Sequence, residues 1–289
     1  VFDPMLIFHD PHCIEYSASG HPERPARITR SVPVLKQRHS KWEWQEPRAA
    51  TDNELLRAHS REHIEQIKNP RSDFDLDTPA YPGIDGYARK SAGAAVETAR
   101  AALQGRRAFS LNRPPGHHAT RNQAMGFCYF SNIAVTALDA LENGADRVSI
   151  WDFDAHHGNG TEDIIAHNDR IRFASIHQFP AYPGTGAKSF ANIDNYPVAP
   201  LTSRQEHMDV CKRALEKLLD FKPDLILVSA GFDAYARDPL VQMTLELEDF
   251  ATFGDWLRET GIPTGAILEG GYSDDLPELI DAFLNAWAG

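Results

Sequence analysis

The stretch Val148-Ser149-Ile150-Trp151-Asp152-Phe153-Asp154-Ala155-His156-His157-Gly158-Asn159-Gly160-Thr161 joins an apolar run directly to a polar one. The apolar run reads as a buried strand. If that strand continues into the polar residues, alternate side chains share a face, which puts Asp152, Asp154 and His156 together before the chain turns at Gly158 and Gly160. An Asp and a His two residues apart can supply oxygen and nitrogen to one divalent ion, as zinc accepts. Asp152, one step deeper, is better placed to orient a ligand or a nearby His. The bland alternative is a capped, hydrogen-bonded strand end.

Reading outward, the succession of apolar strand, polar cluster and helix recurs. Ala108-Phe109-Ser110-Leu111-Asn112 runs into Arg113-Pro114-Pro115-Gly116-His117-His118, where Pro and Gly stop the strand and two adjacent imidazoles follow. A His pair fixed in this way suits general acid–base work near neutral pH. Ile171 to His177 leads to the turn-rich Pro180 to Gly186, Asp224 to Ala230 to Gly231-Phe232-Asp233, and Thr264 to Leu268 to Glu269-Gly270-Gly271-Tyr272. Met5 to Phe8 predicts a first strand. Helical patterns cover Ile28 to Arg38, Asp52 to Lys68 behind Thr51 as N-cap, Tyr87 to Gln104 before Gly105, and Leu276 to Trp287. His59 and His63 stand four apart, a spacing that can bind metal on a helix, but Glu62 is at the wrong offset for a His-Glu-x-x-His site.

Continuous apolar strands alternating with long helices predict a mainly parallel sheet covered on both faces, with ligands bound beyond the carboxyl ends of its strands. His117, His118, Asp154, His156, Asp233 and Tyr272 are then expected around one crevice. A chain of 289 residues, 42% apolar, can bury a large core, and no Gly/Ser- or Pro-rich linker divides it, so residues 1–289 read as one domain. Three widely spaced cysteines, Cys13, Cys128 and Cys211, argue against a disulfide framework and for a reducing compartment, which points to the cytoplasm. No apolar run approaches a membrane span, and the opening Val1-Phe2-Asp3-Pro4 lacks a signal-peptide pattern. A formal charge of −12 disfavours direct nucleic-acid binding and weakly favours cationic substrates, although acidity also serves solubility.

Arg113-Pro-Pro-Gly-His-His118, Asp152-Phe-Asp-Ala-His-His-Gly-Asn-Gly160, Ser229-Ala-Gly-Phe-Asp-Ala234 and Glu269-Gly-Gly-Tyr272 together resemble the motif set of the zinc-dependent histone deacetylase family. The likeness spans nearly the whole chain. His21-Pro-Glu-Arg-Pro25 resembles the family's N-terminal motif, and Gly126-Phe-Cys-Tyr129 and Tyr182-Pro-Gly-Thr-Gly186 resemble segments lining its substrate tunnel. The resemblance implies the arginase/deacetylase α/β fold: three layers, with a mainly parallel sheet of about eight strands between helices.

It also implies roles. Asp154, His156 and Asp233 would bind one zinc ion per chain, and Tyr272 would stabilise the oxyanion. His118 would be general base and then general acid, while His117, paired to Asp152, would hold charge beside it. Asn159 matches the partner of His118; its being Asn rather than Asp resembles the class II-like and bacterial amidohydrolase branch. Phe127 and Tyr182, with Gly126, Gly271 and Leu240, match tunnel positions. Asp77 matches a carboxylate that grips the backbone amides of peptide substrates; an ordinary turn-capping Asp remains the alternative there. Arg27 matches the floor of an acetate-release cavity, and Asp152, Asp154, His156 and Ser175 match a potassium site.

The implied activity is removal of acetyl or other acyl groups from N-acyl-lysine side chains in a peptide or protein. An acetylpolyamine is the alternative substrate, and Leu240, standing where polyamine-selective relatives carry a guarding Glu, favours lysine. Two readings from other classes are weaker. A dimanganese ureohydrolase needs Asp-x-His-x-Asp and Asp-x-Asp, whereas Asp154-Ala-His156 is followed by Gly158 and Asp233-Ala by Tyr235. A non-catalytic acyl-lysine binding module has no need to retain Asp154, His156, Asp233, His118 and Tyr272 together. Oligomeric state leaves no trace in the sequence.

Overall fold

The computed structural model describes residues 4–289; Val1, Phe2 and Asp3 of the opening stretch lie outside the described residues. The apolar runs pair into one sheet of eight parallel strands: β1 (Leu6–Phe8), β2 (Glu43–Gln45), β3 (Ala108–Ser110), β4 (Val148–Asp152), β5 (Ile171–Gln178), β6 (Ile193–Val198), β7 (Leu225–Ala230) and β8 (Thr264–Leu268). Their order across the sheet is β2-β1-β3-β8-β7-β4-β5-β6. Because every strand runs the same way, all the carboxyl ends reach one rim.

The period of two sorts side chains to opposite faces. Val148 and Ile150 of β4, with Leu225 and Leu227 of β7, join the apolar cluster under α4 (Ile84–Leu103), α5 (Asn132–Glu142) and α6 (Asn159–Ile165). Trp151, Ile226 and Val228 face the other cluster, under α1 (Ala26–Arg38), α7 (Arg204–Asp220), α8 (Leu247–Thr260) and α9 (Leu276–Ala288). Trp151 is fully buried there, edge-on to Phe153 and Phe253 at 5.1 and 5.2 Å between centroids. The result is a helix–sheet–helix sandwich. Among the described residues, no helix is long and apolar enough to cross a membrane.

Two local expectations need correction. Strand β4 ends at Asp152, so Asp154 and His156 sit on a bend and their convergence comes from the turn rather than from alternation. The pattern over 52–68 makes two helices, α2 (Asp52–Ala58) and α3 (Arg61–Lys68), because His59 is extended and the Ser60 hydroxyl caps a new start by accepting from His63 N. With that break, His59 and His63 are structural. His59 Nδ1 donates to the Thr120 carbonyl and its Nε2 accepts from Ser131 N, while His63 Nε2 donates to the Tyr129 carbonyl.

Candidate active site

Each polar cluster named from the sequence follows a strand of the rim. Beyond β4 and β7, Asp154, His156 and Asp233 bring one ligand atom each within 4.8 Å of one another. Both carboxylates are fully buried. Backbone N–H groups anchor both: Asp233 Oδ1 accepts from Ala155 N at 2.8 Å, Asp154 Oδ2 from Gly270 N at 2.7 Å and Asp154 Oδ1 from His156 N at 2.8 Å. Asp154 Oδ1 and Asp233 Oδ2 also lie 3.2 and 2.8 Å from His156 Nδ1. Two carboxylates and an imidazole pressed together in a dry site fit a divalent cation, which cancels charge that burial otherwise disfavours. Gly270 helps form this cradle, since a Cβ there would come within 2.5 Å of both Asp154 and Asp233. Among the described residues, this is the one such group of three.

The loop after β3 carries the two imidazoles side by side, 4.0 Å between ring centroids. His117 Nδ1 donates to Asp152 Oδ2 at 3.1 Å, and His118 Nδ1 donates to Asn159 Oδ1 at 2.7 Å. Burial works against charging either ring. For His117 the Asp154 and Asp152 carboxylates outweigh it and hold the pKa well above the usual range. For His118, His117 and His156 add to burial and push the pKa well below.

Tyr272 follows β8 and faces the same cavity. Burial raises its phenol well above the ordinary range, so it remains a donor. The cavity holds about 250 Å³, with His118, His156 and Tyr272 at the bottom and Phe127, Tyr182, Leu240, Gly126, Pro22 and Asp77 around it. Tyr182 stands edge-on to His118 at 5.2 Å and Phe127 edge-on to Tyr272 at 5.8 Å. This volume lies under the roughly 300–1,000 Å³ usual for small-molecule pockets, which suits a slim alkyl stem. Phe127 sits in the left-handed region at φ 70, held there by its N–H on Thr78 Oγ1 at 3.1 Å.

Asp77 is exposed at the mouth; its N–H donates to Asp75 Oδ1 at 2.9 Å. Ser175 lies beside Asp152 in strand register, but its hydroxyl contacts His177 Nδ1 at 3.0 Å and accepts from Gly158 N at 3.3 Å. Buried Arg27 donates from Nε to the Gly271 carbonyl at 2.8 Å and from Nη2 to the Glu269 carbonyl.

Two buried carboxylates were given no role from the sequence. Glu269 is fully buried, and its Oε2 accepts from Gly116 N and His117 N at 2.7 and 3.1 Å, bracing the loop of the imidazoles. Burial pushes its pKa up to about 7 despite His117. Its place at a strand's carboxyl end was the available signal. Asp238, also buried, takes Leu240 N on Oδ1 at 3.0 Å and Tyr272 N on Oδ2 at 2.7 Å. Burial, then repulsion from Asp233, pushes Asp238 up to about 7.

Comparison with known proteins brings these observations to one family. The family model described as "Histone deacetylase domain" matches residues 21–287. The chain belongs to the histone deacetylase family. Within it, the chain is 34% identical to the histone deacetylase-like amidohydrolase of Pseudomonas aeruginosa, over 94% of this chain and 81% of that one. It is 37% identical to acetylpolyamine amidohydrolase 1 of the same organism, over 69% of this chain and 61% of that one. The crystal structure of the HDA15 HD domain superposes with a TM-score of 0.90 at 29% identity, covering 99% of this chain and 90% of that one. The sheet and its helical layers are those of the arginase/deacetylase fold, and the activity class is that of a histone deacetylase-family amidohydrolase.

Proposed function

We propose that this chain is a zinc-dependent deacetylase that hydrolyses N-acetyl or other N-acyl groups from the side chains of acylated lysines. The observation that carries the reading is the meeting of a three-ligand cluster, the His118 imidazole and the Tyr272 phenol in one narrow cavity. Asp154, His156 and Asp233 would hold the ion, which when bound polarises the acyl carbonyl and lowers the pKa of a water. His118, kept neutral by burial and then by the charge of His117, takes a proton from the attacking water and returns it to the leaving amine. Its Nδ1–H is committed to Asn159, which leaves Nε2 as the working nitrogen. His117, charged and fixed by Asp152, supplies positive potential beside the reacting carbon. Tyr272 donates to the carbonyl oxygen as it becomes an oxyanion.

Phe127, Tyr182 and Leu240 exclude water and admit a thin stem, and Asp77 receives a peptide's backbone N–H. Arg27, beneath the Tyr272 loop, belongs to the acetate exit in this reading. Potassium beside Asp152, Asp154, His156 and Ser175 belongs to it as well. The one sheet running from β1 to β8 supports reading residues 1–289 as a single catalytic domain. A second reading, an acetylpolyamine as substrate, draws support from the amidohydrolase relative and from Asp75 and Asp77 beside the mouth, which suit a cationic tail.

Protein of measured zinc content, assayed on an acetyl-lysine peptide and on an acetylated polyamine, tests both. One ion per chain and a higher kcat/KM on the peptide are expected. A preference for the polyamine would transfer the site to the second reading, and no hydrolysis of either substrate at full zinc occupancy would sink the catalytic assignment.

A further inference from the structure

The peptide group joining Gly271 to Tyr272 is gripped at both ends. Its carbonyl accepts from Arg27 Nε at 2.8 Å, and its N–H donates to Asp238 Oδ2 at 2.7 Å. Gly271, at φ +117, offers no Cβ to resist rotation of this plane, so the plane's orientation depends on what holds it. The plane in turn sets the direction in which the Tyr272 side chain leaves the backbone. The second oxygen of Asp238 accepts from Leu240 N at 3.0 Å, in the cavity wall. Asp238 N–H donates to the Tyr235 carbonyl at 2.9 Å, which fixes the carboxylate's own backbone.

We infer that Asp238 is a positioning residue for the deacetylation reaction, aiming the Tyr272 phenol through the Gly271–Tyr272 peptide while setting the Leu240 wall. This rests on the proposed donor role of Tyr272. A carboxylate meets this geometry with one acceptor oxygen for each of two N–H donors that come from residues far apart in sequence. Asp238→Asn keeps the shape but turns an NH2 toward one of those donors, leaving a buried N–H without an acceptor.

The test is a double-mutant cycle of D238N, Y272F and the double variant on an acetyl-lysine peptide, with zinc content and melting temperature measured for each. D238N is expected to lower kcat about 10- to 100-fold at wild-type zinc content, and to raise KM through the displaced wall. In the Y272F background the same change should lower kcat by less than about threefold while KM still rises, because there is no phenolic hydroxyl left to misplace. D238S, which accepts one N–H, carries the same cycle if D238N accumulates poorly. An equal fold loss in both backgrounds, or a loss that tracks missing zinc, overturns the inference and leaves the Tyr272 role standing. Near-wild-type kcat in Y272F alone removes that role, and the inference with it.

Discussion

A carboxylate lies behind one imidazole of the active-site pair and an amide behind the other, since His117 meets Asp152 and His118 meets Asn159. Burial and then the charge of His117 push the His118 pKa down, while the Asp154 and Asp152 carboxylates outweigh burial at His117, so two adjacent residues have opposite proton affinities, one suited to holding charge and the other to moving a proton. His118→Ala should therefore reduce turnover by about a hundred to ten thousandfold, and His117→Ala by less, with zinc content unchanged in both. Steady-state rates at equal metal loading decide it; equal or reversed losses would mean the roles are exchanged. At this scale polar residues that follow apolar strands are what the sequence makes legible, which is how His117, Asp154 and Tyr272 draw notice, although Glu269, in the same kind of place, was given no role. It was silent on Asp238, whose partner Tyr272 is met only once β7 and β8 are neighbours.

Element boundaries follow hydrogen bonds more closely than hydrophobic period. Thr51 and Glu54 form a capping box at the start of α2, and Glu54 also receives Arg48 and Arg100. Ser60 then begins α3, a break that the run of helical spacings across 52–68 hides. The edge strands β2 and β6 were illegible for a related reason. The first is largely exposed, and the second contains Pro197 and polar residues that only an edge tolerates. Burial opposes ionisation of Glu54, yet hydrogen bonds from Arg48 and Thr51 hold its pKa down to about 2 from an ordinary 4.5. A depressed carboxyl stabilises the fold above its unfolded pKa, and that stability is lost as pH falls through the folded one. Glu54→Gln should cost about 1 kcal/mol at pH 7. The gap from wild type should stay level down to about pH 5 and close between about pH 4.5 and 2. Denaturant midpoints measured across that range check it, and a gap that widens on acidification would contradict the sign.

Across the whole molecule, the parallel sheet draws separate strand ends to one rim, and this much was legible from the alternation of strands and helices. The cost is a set of buried carboxylates, Asp152, Asp154, Asp233 and Glu269, collected in one place. A cation bound only by the folded state would offset part of their repulsion and stabilise by about 2.7 kcal/mol at a hundredfold excess over Kd. Chelation should then lower Tm by about 4 to 5 °C. Asp233→Ala should hold little metal and melt at a temperature indifferent to chelator. Calorimetry with metal analysis checks both, and a chelator-blind Tm in zinc-loaded protein would oppose a stabilising ion. The same topology also divides the connections. Those leading out of β3, β7 and β8 span 111–131, 231–246 and 269–275, whereas those returning from helix to strand, such as 104–107, 143–147, 221–224 and 261–263, are brief and lie at the far rim. For an engineer, the molecule therefore has a working end and a handle. Surface attachment, fusion joints and randomised insertions belong on the handle, where they leave the mouth of the tunnel open.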